Sequence, residues 1–328
     1  MKNTDLISKK LVGRPYWHAP ILAARIDAKN CVAHNLTAIK AIESACGIKV
    51  SDQTKKLREL MLATEIIKAH AAHLYFEFLP EFLGLKSVSE LSKMHPDLSS
   101  DAIDFENFAD QILIAIGGRT INPITSVVGG FKSYPLKSKL KYIKENSKQV
   151  IEASLKTLRL FASFNFSKTG FVPDFAALHE NNNYALYDGE IWTGRGRLII
   201  VDDFVKFAQK NQGKMPSGAL ARYNLSQSHF DPSVKKSLEE LGVAKKMSFF
   251  SETVQAKAAE NYYFVILSIK ILSDFVKDGV AKEHILPPHG FSSGVSACES
   301  ADGTVIHSCE LDEDGIILNY GINILSES

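Results

Sequence analysis

Residues 135–161, PLKSKLKYIKENSKQVIEASLKTLRLF, carry the periodicity that decides the fold class. Leu136, Leu140, Ile143, Val150, Ile151, Leu155, Leu158 and Phe161 keep to one stripe while Lys and Glu take the other faces, and Pro135 suits a first helical turn. One long amphipathic helix is predicted there. A second runs from Ser51 to Phe82, where Leu57, Leu60, Met61, Ile66, Ile67, His70, Leu74 and Phe78 recur at three- and four-residue steps. A third begins near Cys31 and stops at Gly47, a glycine suited to end a helix. Shorter helical patterns cover residues 101–116, 203–211, 231–241 and 252–277. The last holds the most apolar run, Tyr262 to Leu272, which places it centrally in a bundle.

Strand signals are fewer. Residues 184–201, YALYDGEIWTGRGRLIIV, alternate around Asp188-Gly189 and predict a hairpin turning at that pair. Residues 303–323 predict another, with Asp-Glu-Asp-Gly at its tip. No internal repeat, low-complexity segment or Pro/Gly/Ser linker divides the chain. The expectation is therefore a mostly α fold with small β-hairpins (α+β), forming one domain over residues 1–328.

Composition narrows the function classes. The chain has 328 residues, 45% hydrophobic and 23% charged, enough for a sizeable core. Thirty-eight Lys+Arg against thirty-seven Asp+Glu leave a net charge of +1, which argues against a dedicated nucleic-acid binder. The Tyr262–Leu272 run is interrupted by Ser268 and Lys270 and reaches about half of the ~20 residues a membrane helix needs, so no membrane span is predicted. The opening MKNTDLISKKLVGRPYW lacks the apolar region of a secretory signal and the closing ILSES lacks a lipidation motif, so a cytoplasmic protein is expected. Four cysteines, Cys31, Cys46, Cys298 and Cys309, are too few for a disulfide scaffold and form no C-x-x-C pair.

Chemistry-bearing clusters are sparse. His70 and His73 lie three residues apart on one helix and could share a metal, but two ligands without a third favour two half-buried histidines bonded to neighbours. His307 and Cys309 alternate on a strand with Cys298 near in sequence, a pattern that strand alternation produces freely. Gly117-Gly118-Arg119 and Gly129-Gly130 bracket a turn without the Lys-Ser/Thr of a phosphate loop. No nucleophile elbow, H-E-x-x-H or dinucleotide fingerprint is present.

Taken in order, these pieces resemble one known family, the large subunit of nickel–iron hydrogenases. Gly13-Arg14-Pro15, Ala19-Pro20 and the run Arg25 to His34 resemble its first signature, R-x-C-x-x-C-x-x-x-H. AHAAHLYFEFLP (residues 69–80) is similar to its paired-histidine helix, and GGRTINPITSVVGGF (117–131) to its G-R-x-x-H-P…V-G-G-F loop. GALARYNL (218–225), the helix start at 256–260 and ESADGTVIH (299–307), against E-A-P-R-G-T-L-I-H, complete the series. The resemblance covers about residues 11–320 and is nearest to the cytoplasmic, cofactor-coupled branch. It implies a hydrogenase-large-subunit-like helical bundle.

The departures fall on the chemistry. Where the family has the two cysteines that hold its nickel–iron centre as thiolates, this chain has Asp27 and Asn30. Cys31 is one residue out of register, about 100° around a helix. The family's C-terminal D-P-C-x-x-C segment and N-terminal strand region find no counterpart in the sequence. The family's arginine beside the metal is Asp302, its neighbouring proline is Ala301, and the loop histidine is Asn122. Scaffold positions match: Arg25, His34, His70, His73, Arg119, Arg222, Glu260 and His307, with Gly129 and Gly130. The expectation that follows is a catalytically silent relative that binds no nickel–iron centre and pairs with an iron–sulfur small-subunit-like partner, which would carry the iron–sulfur clusters of a cytoplasmic redox complex. A second expectation gathers Asp27, Asn30, His34, Asn122 and Asp302 around a repurposed, metal-free cavity with a redox ligand or a proton-transfer role, as in a complex I relative of this fold. A third, a split hydrogenase completed by other polypeptides, could restore the C-terminal thiolates but not the first pair.

Overall fold

Helix Thr253–Asp278 is the axis on which the chain assembles. A computed structural model describes residues 3–212, 214–285 and 288–326. Met1, Lys2, Glu327 and Ser328, at the ends of the stretches read for a signal and a lipidation motif, lie outside the described residues. In chain order the helices are α1 (Asn3–Leu11), α2 (His18–Ala23), α3 (Cys31–Ala45), α4 (Asp52–Ala72), α5 (Leu79–Phe82), α6 (Val88–Met94), α7 (Pro96–Gly117), α8 (Lys137–Glu145), α9 (Lys148–Ser163), α10 (Phe204–Asn211), α11 (Ala219–Ser226), α12 (Pro232–Glu240) and α13 (Thr253–Asp278). The strands are β1 (Ser126–Val127), β2 (Gly130–Phe131), β3 (Ala176–His179), β4 (Glu190–Thr193), β5 (Leu198–Ile199), β6 (Ser293–Ser300), β7 (Gly303–Leu311) and β8 (Ile317–Ser326). The chain is thus mostly helical with small antiparallel sheets, as its periodicity predicts.

α13 packs against α4, α8, α9 and α11, and α7 packs against α4 and α9. Leu60, Met61, Ile67, Phe105, Ile112, Phe161, Phe264 and Leu272 are among the side chains that fill the bundle. The Ser51–Phe82 helix forms as predicted: Ser51 Oγ caps it by accepting the Thr54 N–H, and it passes through a π turn at His73–Phe78 into α5. The 135–161 helix does not form in one piece. It breaks between α8 and α9, where Asn146 Nδ2 donates to Tyr142 O and Ser147 Oγ to Lys144 O, so the side chains take carbonyls that the next turn would use.

The sheets are β1-β2, β3-β4-β5 and β6-β7-β8. The predicted 303–323 hairpin is β7-β8, with its tip at Asp312–Gly315; β6, which pairs with β7 from Ser293↔Glu310 to Ser300↔Gly303, was not read from the sequence. The other hairpin turns at a different place. β4 and β5 join through Gly194–Arg197, while Asp188-Gly189 precedes β4 on its return from β3. Residues 184–187 are not a strand because Tyr184 and Tyr187 instead send their hydroxyls into the core, to Glu260 and Arg58. Sheet and bundle meet where α3 lies on β6 and β7. Gly294 permits that approach, since a Cβ there would stand 2.1 Å from Ala41 O.

Candidate functional site

The turn before α3 and the β6–β7 turn meet edge to edge. Asn30, which is 4% exposed, donates from Nδ2 to Asp27 Oδ2 (2.7 Å) and to Asp302 Oδ2 (2.8 Å). Lys29 supplies the other two oxygens: its Nζ is 2.7 Å from Asp302 Oδ1, and its backbone N–H donates to Asp27 Oδ1 at 3.0 Å. Burial raises the Asp302 carboxyl, but Lys29 and the Asn30 amide outweigh it and hold Asp302 below the usual carboxylate range. These groups, with His34, Ser300, Val305, Ile322 and Ile324, line a cavity of about 290 Å³.

Behind that cavity runs a buried chain of three rings. His34 Nδ1 lies 3.1 Å from His307 Nε2, and His307 Nδ1 lies 2.7 Å from Tyr320 Oη. Burial lowers His34 to about 4 and pushes His307 well below the ordinary histidine range, so both imidazoles are neutral. Tyr320 has no other hydrogen-bond partner among the described residues, so its hydroxyl donates to His307 Nδ1. In this arrangement, the one that leaves no buried hydroxyl proton unpaired, His307 donates to His34 Nδ1 and His34 carries its N–H at Nε2.

The scaffold positions form a second polar cluster. Arg222 on α11 is fully buried; its Nε and Nη2 each lie 2.8 Å from a different oxygen of Glu260 on α13, and its Nη1 lies 2.9 Å from Glu299 on β6. His70 Nε2 is 2.7 Å from Glu260, whose other oxygen also accepts the Tyr184 hydroxyl. Burial opposes the charge on Glu260, but Arg222 overrides it and lowers the carboxyl to about 2. Burial likewise lowers His70 to about 3, so it meets Glu260 as a neutral donor. Glu299 also accepts from Leu178 N and Thr304 Oγ1, and so ties α11 and α13 to two sheets.

The other residues singled out in the sequence lie apart from one another. His70 serves Glu260, while His73 is half-buried, and burial, then Lys257 and Lys29, lower its ring. Asn122 does not join Asp27, Asn30, His34 and Asp302. It sits at φ 54° in the loop after α7, a left-handed conformation that Asn tolerates, and its backbone N–H donates to Cys31 Sγ at 3.3 Å. Cys31 therefore faces Glu65 and this loop, on the other side of the turn, and burial pushes its thiol up to about 12. Glu65, which sequence reading missed, receives the Val32 and Ala33 N–H groups at the start of α3. His307, Cys309 and Cys298 take separate partners; the Cys298 thiol points to Tyr187 O.

A third region is apolar and open. Trp17 and Ile21 of the α2 region and Ile124 of the loop are about half exposed, and with Arg25, Arg119 and Asn122 they line a cavity of about 630 Å³. The loop is held from behind by a buried pair: Arg58 grips both oxygens of Glu43 at 2.7 and 2.8 Å, Glu43 accepts the Gly129 N–H, and Arg58 donates to Val127 O.

Comparison with known proteins agrees with this architecture. Residues 7–96 match the family model for nickel-dependent hydrogenase. Over 313 residues the chain is 29% identical to the alpha chain of sulfhydrogenase 2 from Pyrococcus furiosus, covering 93% of this chain and 75% of that one. It is 23% identical to the beta chain of the NAD-reducing hydrogenase HoxS from Cupriavidus necator, over 94% of this chain and 74% of the other. An NAD+-reducing [NiFe]-hydrogenase in its H2-reduced state superimposes with a TM-score of 0.81 at 19% identity, over 96% of this chain and 79% of its own. Over most of its length the chain is thus similar to large subunits of nickel–iron hydrogenases, in sequence and in fold. Against the pattern of those proteins the donor set here is anomalous. A nickel–iron centre calls for soft thiolates, and the positions facing the cavity offer two carboxylates, an amide and a neutral imidazole. The four cysteines lie elsewhere, and among the described residues no three His, Cys, Asp or Glu side chains are grouped to hold an ion. These residues do not fit the family's metal centre.

Proposed function

We propose that this chain is a catalytically silent hydrogenase large-subunit-like protein, which pairs with an iron–sulfur small-subunit-like protein in a structural and electron-transfer-supporting role within a cytoplasmic redox complex. The observation that carries this reading is Asn30. At a position where the family pattern has a thiolate, its amide cross-links Asp27 and Asp302, and the oxygens so used belong to the groups nearest the vacated centre. The partner clusters would be shielded by the face of Trp17, Ile21 and Ile124, flanked by Arg25 and Arg119. Two supports are independent of each other: relatives are named as alpha chains of hydrogenases, and the Glu43–Arg58 pair braces the loop on that face although it lines no part of the central cavity.

The test is purification of the native complex followed by metal analysis and hydrogen uptake with a viologen dye. Iron from a co-purifying partner, without nickel and without uptake, is expected. Stoichiometric nickel or hydrogen-dependent dye reduction would sink the reading. The proton-transfer alternative is tested by Asp27→Asn with Asp302→Asn: each of the four carboxylate oxygens already accepts a hydrogen bond, so redox turnover of the assembled complex is expected to be unchanged.

A further inference from the structure

The cavity between α3 and the β6-β7-β8 sheet has a specific hydrogen-bonding remainder. All four oxygens of Asp27 and Asp302 are engaged, by Lys29 and by the Asn30 amide. The two carboxylates together repel an anion. At the α3 end of the lining stand one acceptor and one donor. Asn30 Oδ1 is buried and has no hydrogen-bond partner. One helical turn further along the same lining, His34 carries the Nε2 N–H that the Tyr320–His307–His34 chain assigns to it. One wall is apolar, built by Ile26, Val305, Ile322 and Ile324, while Asn3, Thr4, Gln212, Ser300 and Ser326 complete the lining. A buried oxygen without a donor is costly enough that proteins rarely keep one unserved.

We propose that this cavity binds a small neutral molecule bearing an adjacent N–H and C=O, an amide or lactam edge on an apolar ring. The N–H would donate to Asn30 Oδ1, the C=O would accept from His34 Nε2, and the ring would lie against Val305, Ile322 and Ile324. The site opens on the side of Asp302, whose side chain is 36% exposed, which gives such a molecule a way in. This inference does not depend on the identity of the iron–sulfur partner.

Three probes of one shape and different charge test it on the intact chain: benzamide, benzoate and benzylamine, each titrated while the imidazole nitrogen resonances of His34 and His307 are followed by NMR. Benzamide is expected to shift both rings saturably, and the two charged probes are expected to shift neither. Asn30→Ala should weaken benzamide about tenfold, the effect of one lost hydrogen bond to a buried group; if that variant does not fold, Val305→Phe, which fills the apolar wall, should abolish the shift instead. Absence of a saturable benzamide shift overturns the proposal, as do equal shifts from benzoate or benzylamine.

Discussion

Arg222 on α11 and Glu260 on α13 meet in a two-pronged contact, with two nitrogens on two oxygens at 2.8 Å and both side chains fully buried. The same guanidinium reaches Glu299, so one cation serves two carboxylates away from water. Arg222→Leu leaves both acids buried without it and is expected to cost about 3–5 kcal/mol, read as a lowered urea midpoint. Arg222→Lys keeps the charge but not the fork and should recover only part of that loss. An unchanged midpoint in Arg222→Leu would show that the cluster is not a structural tie.

Stability should fall in acid, and the sign follows from the rings. Burial holds His70 down to about 3 and His34 to about 4, so the unfolded chain takes up protons near pH 6.5 that the folded chain refuses. Their contribution is full above that pH and is lost as pH falls. Glu260, held near 2, adds a loss that begins below about pH 4.5. Glu59 and Glu65 act in the opposite sense: burial raises them to about 7 and about 8, so stability from them is lost as pH rises through that range. The steepest fall is therefore expected between about pH 4.5 and 3. His70→Gln, which keeps a donor for Glu260, should flatten that limb by about 1.4 kcal/mol per pH unit; denaturant melts across the range measure it.

Asn30 separates two carboxylates, and replacing it with a third should be felt. Asn30→Asp is expected to destabilise the fold by about 1–3 kcal/mol at pH 7 and to regain part of this near pH 5. Lys29→Met removes the half-exposed pair with Asp302 and should cost less than about 1 kcal/mol. Thermal melts at the two pH values distinguish the variants; equal costs would mean that the amide carries no special role.

The open apolar face gives a binding prediction. Trp17→Glu combined with Ile124→Glu changes two side chains that are 52% and 50% exposed, so folding should shift by no more than about 0.5 kcal/mol for each substitution. Capture of the proposed iron–sulfur partner in pull-down should drop more than tenfold, because a charge is placed on the apolar face proposed to meet it. Retained capture would move the docking face elsewhere.

Helix content is readable in the chain because stripes such as Leu57, Leu60, Met61 and Ile67 repeat at helical steps and bury as a set. Local polar competitors mislead: Asn146 and Ser147 split one predicted helix, and Asp188-Gly189 imitates a hairpin tip because the deep burial of Tyr184 and Tyr187 has no signature in alternation. At the site, motif order alone places Asp27, Asn30, His34 and Asp302 together. It does not reach Glu65, which acts through Val32 and Ala33 more than thirty residues away, or Tyr320, which lies outside the quoted motifs. Asn122 goes astray for a related reason: a single turn at φ 54° delivers it to the opposite side of Cys31.

The pairing of α1 and its following turn with β8 bears on how this molecule comes into being. Gly13 N–H donates to Ile317 O, Tyr16 N–H to Gly315 O and Ile317 N–H to Arg14 O, while α1 packs on β8. Segments made early and late on the ribosome are thus stitched to each other. The side of α1 that packs on β8 has nothing to cover it until β8 leaves the exit tunnel, so closure cannot precede synthesis of β8, and it is a long-range event of the slow kind. Until then that side of α1 stands open to water, so the first segment of the chain waits on the last for its cover.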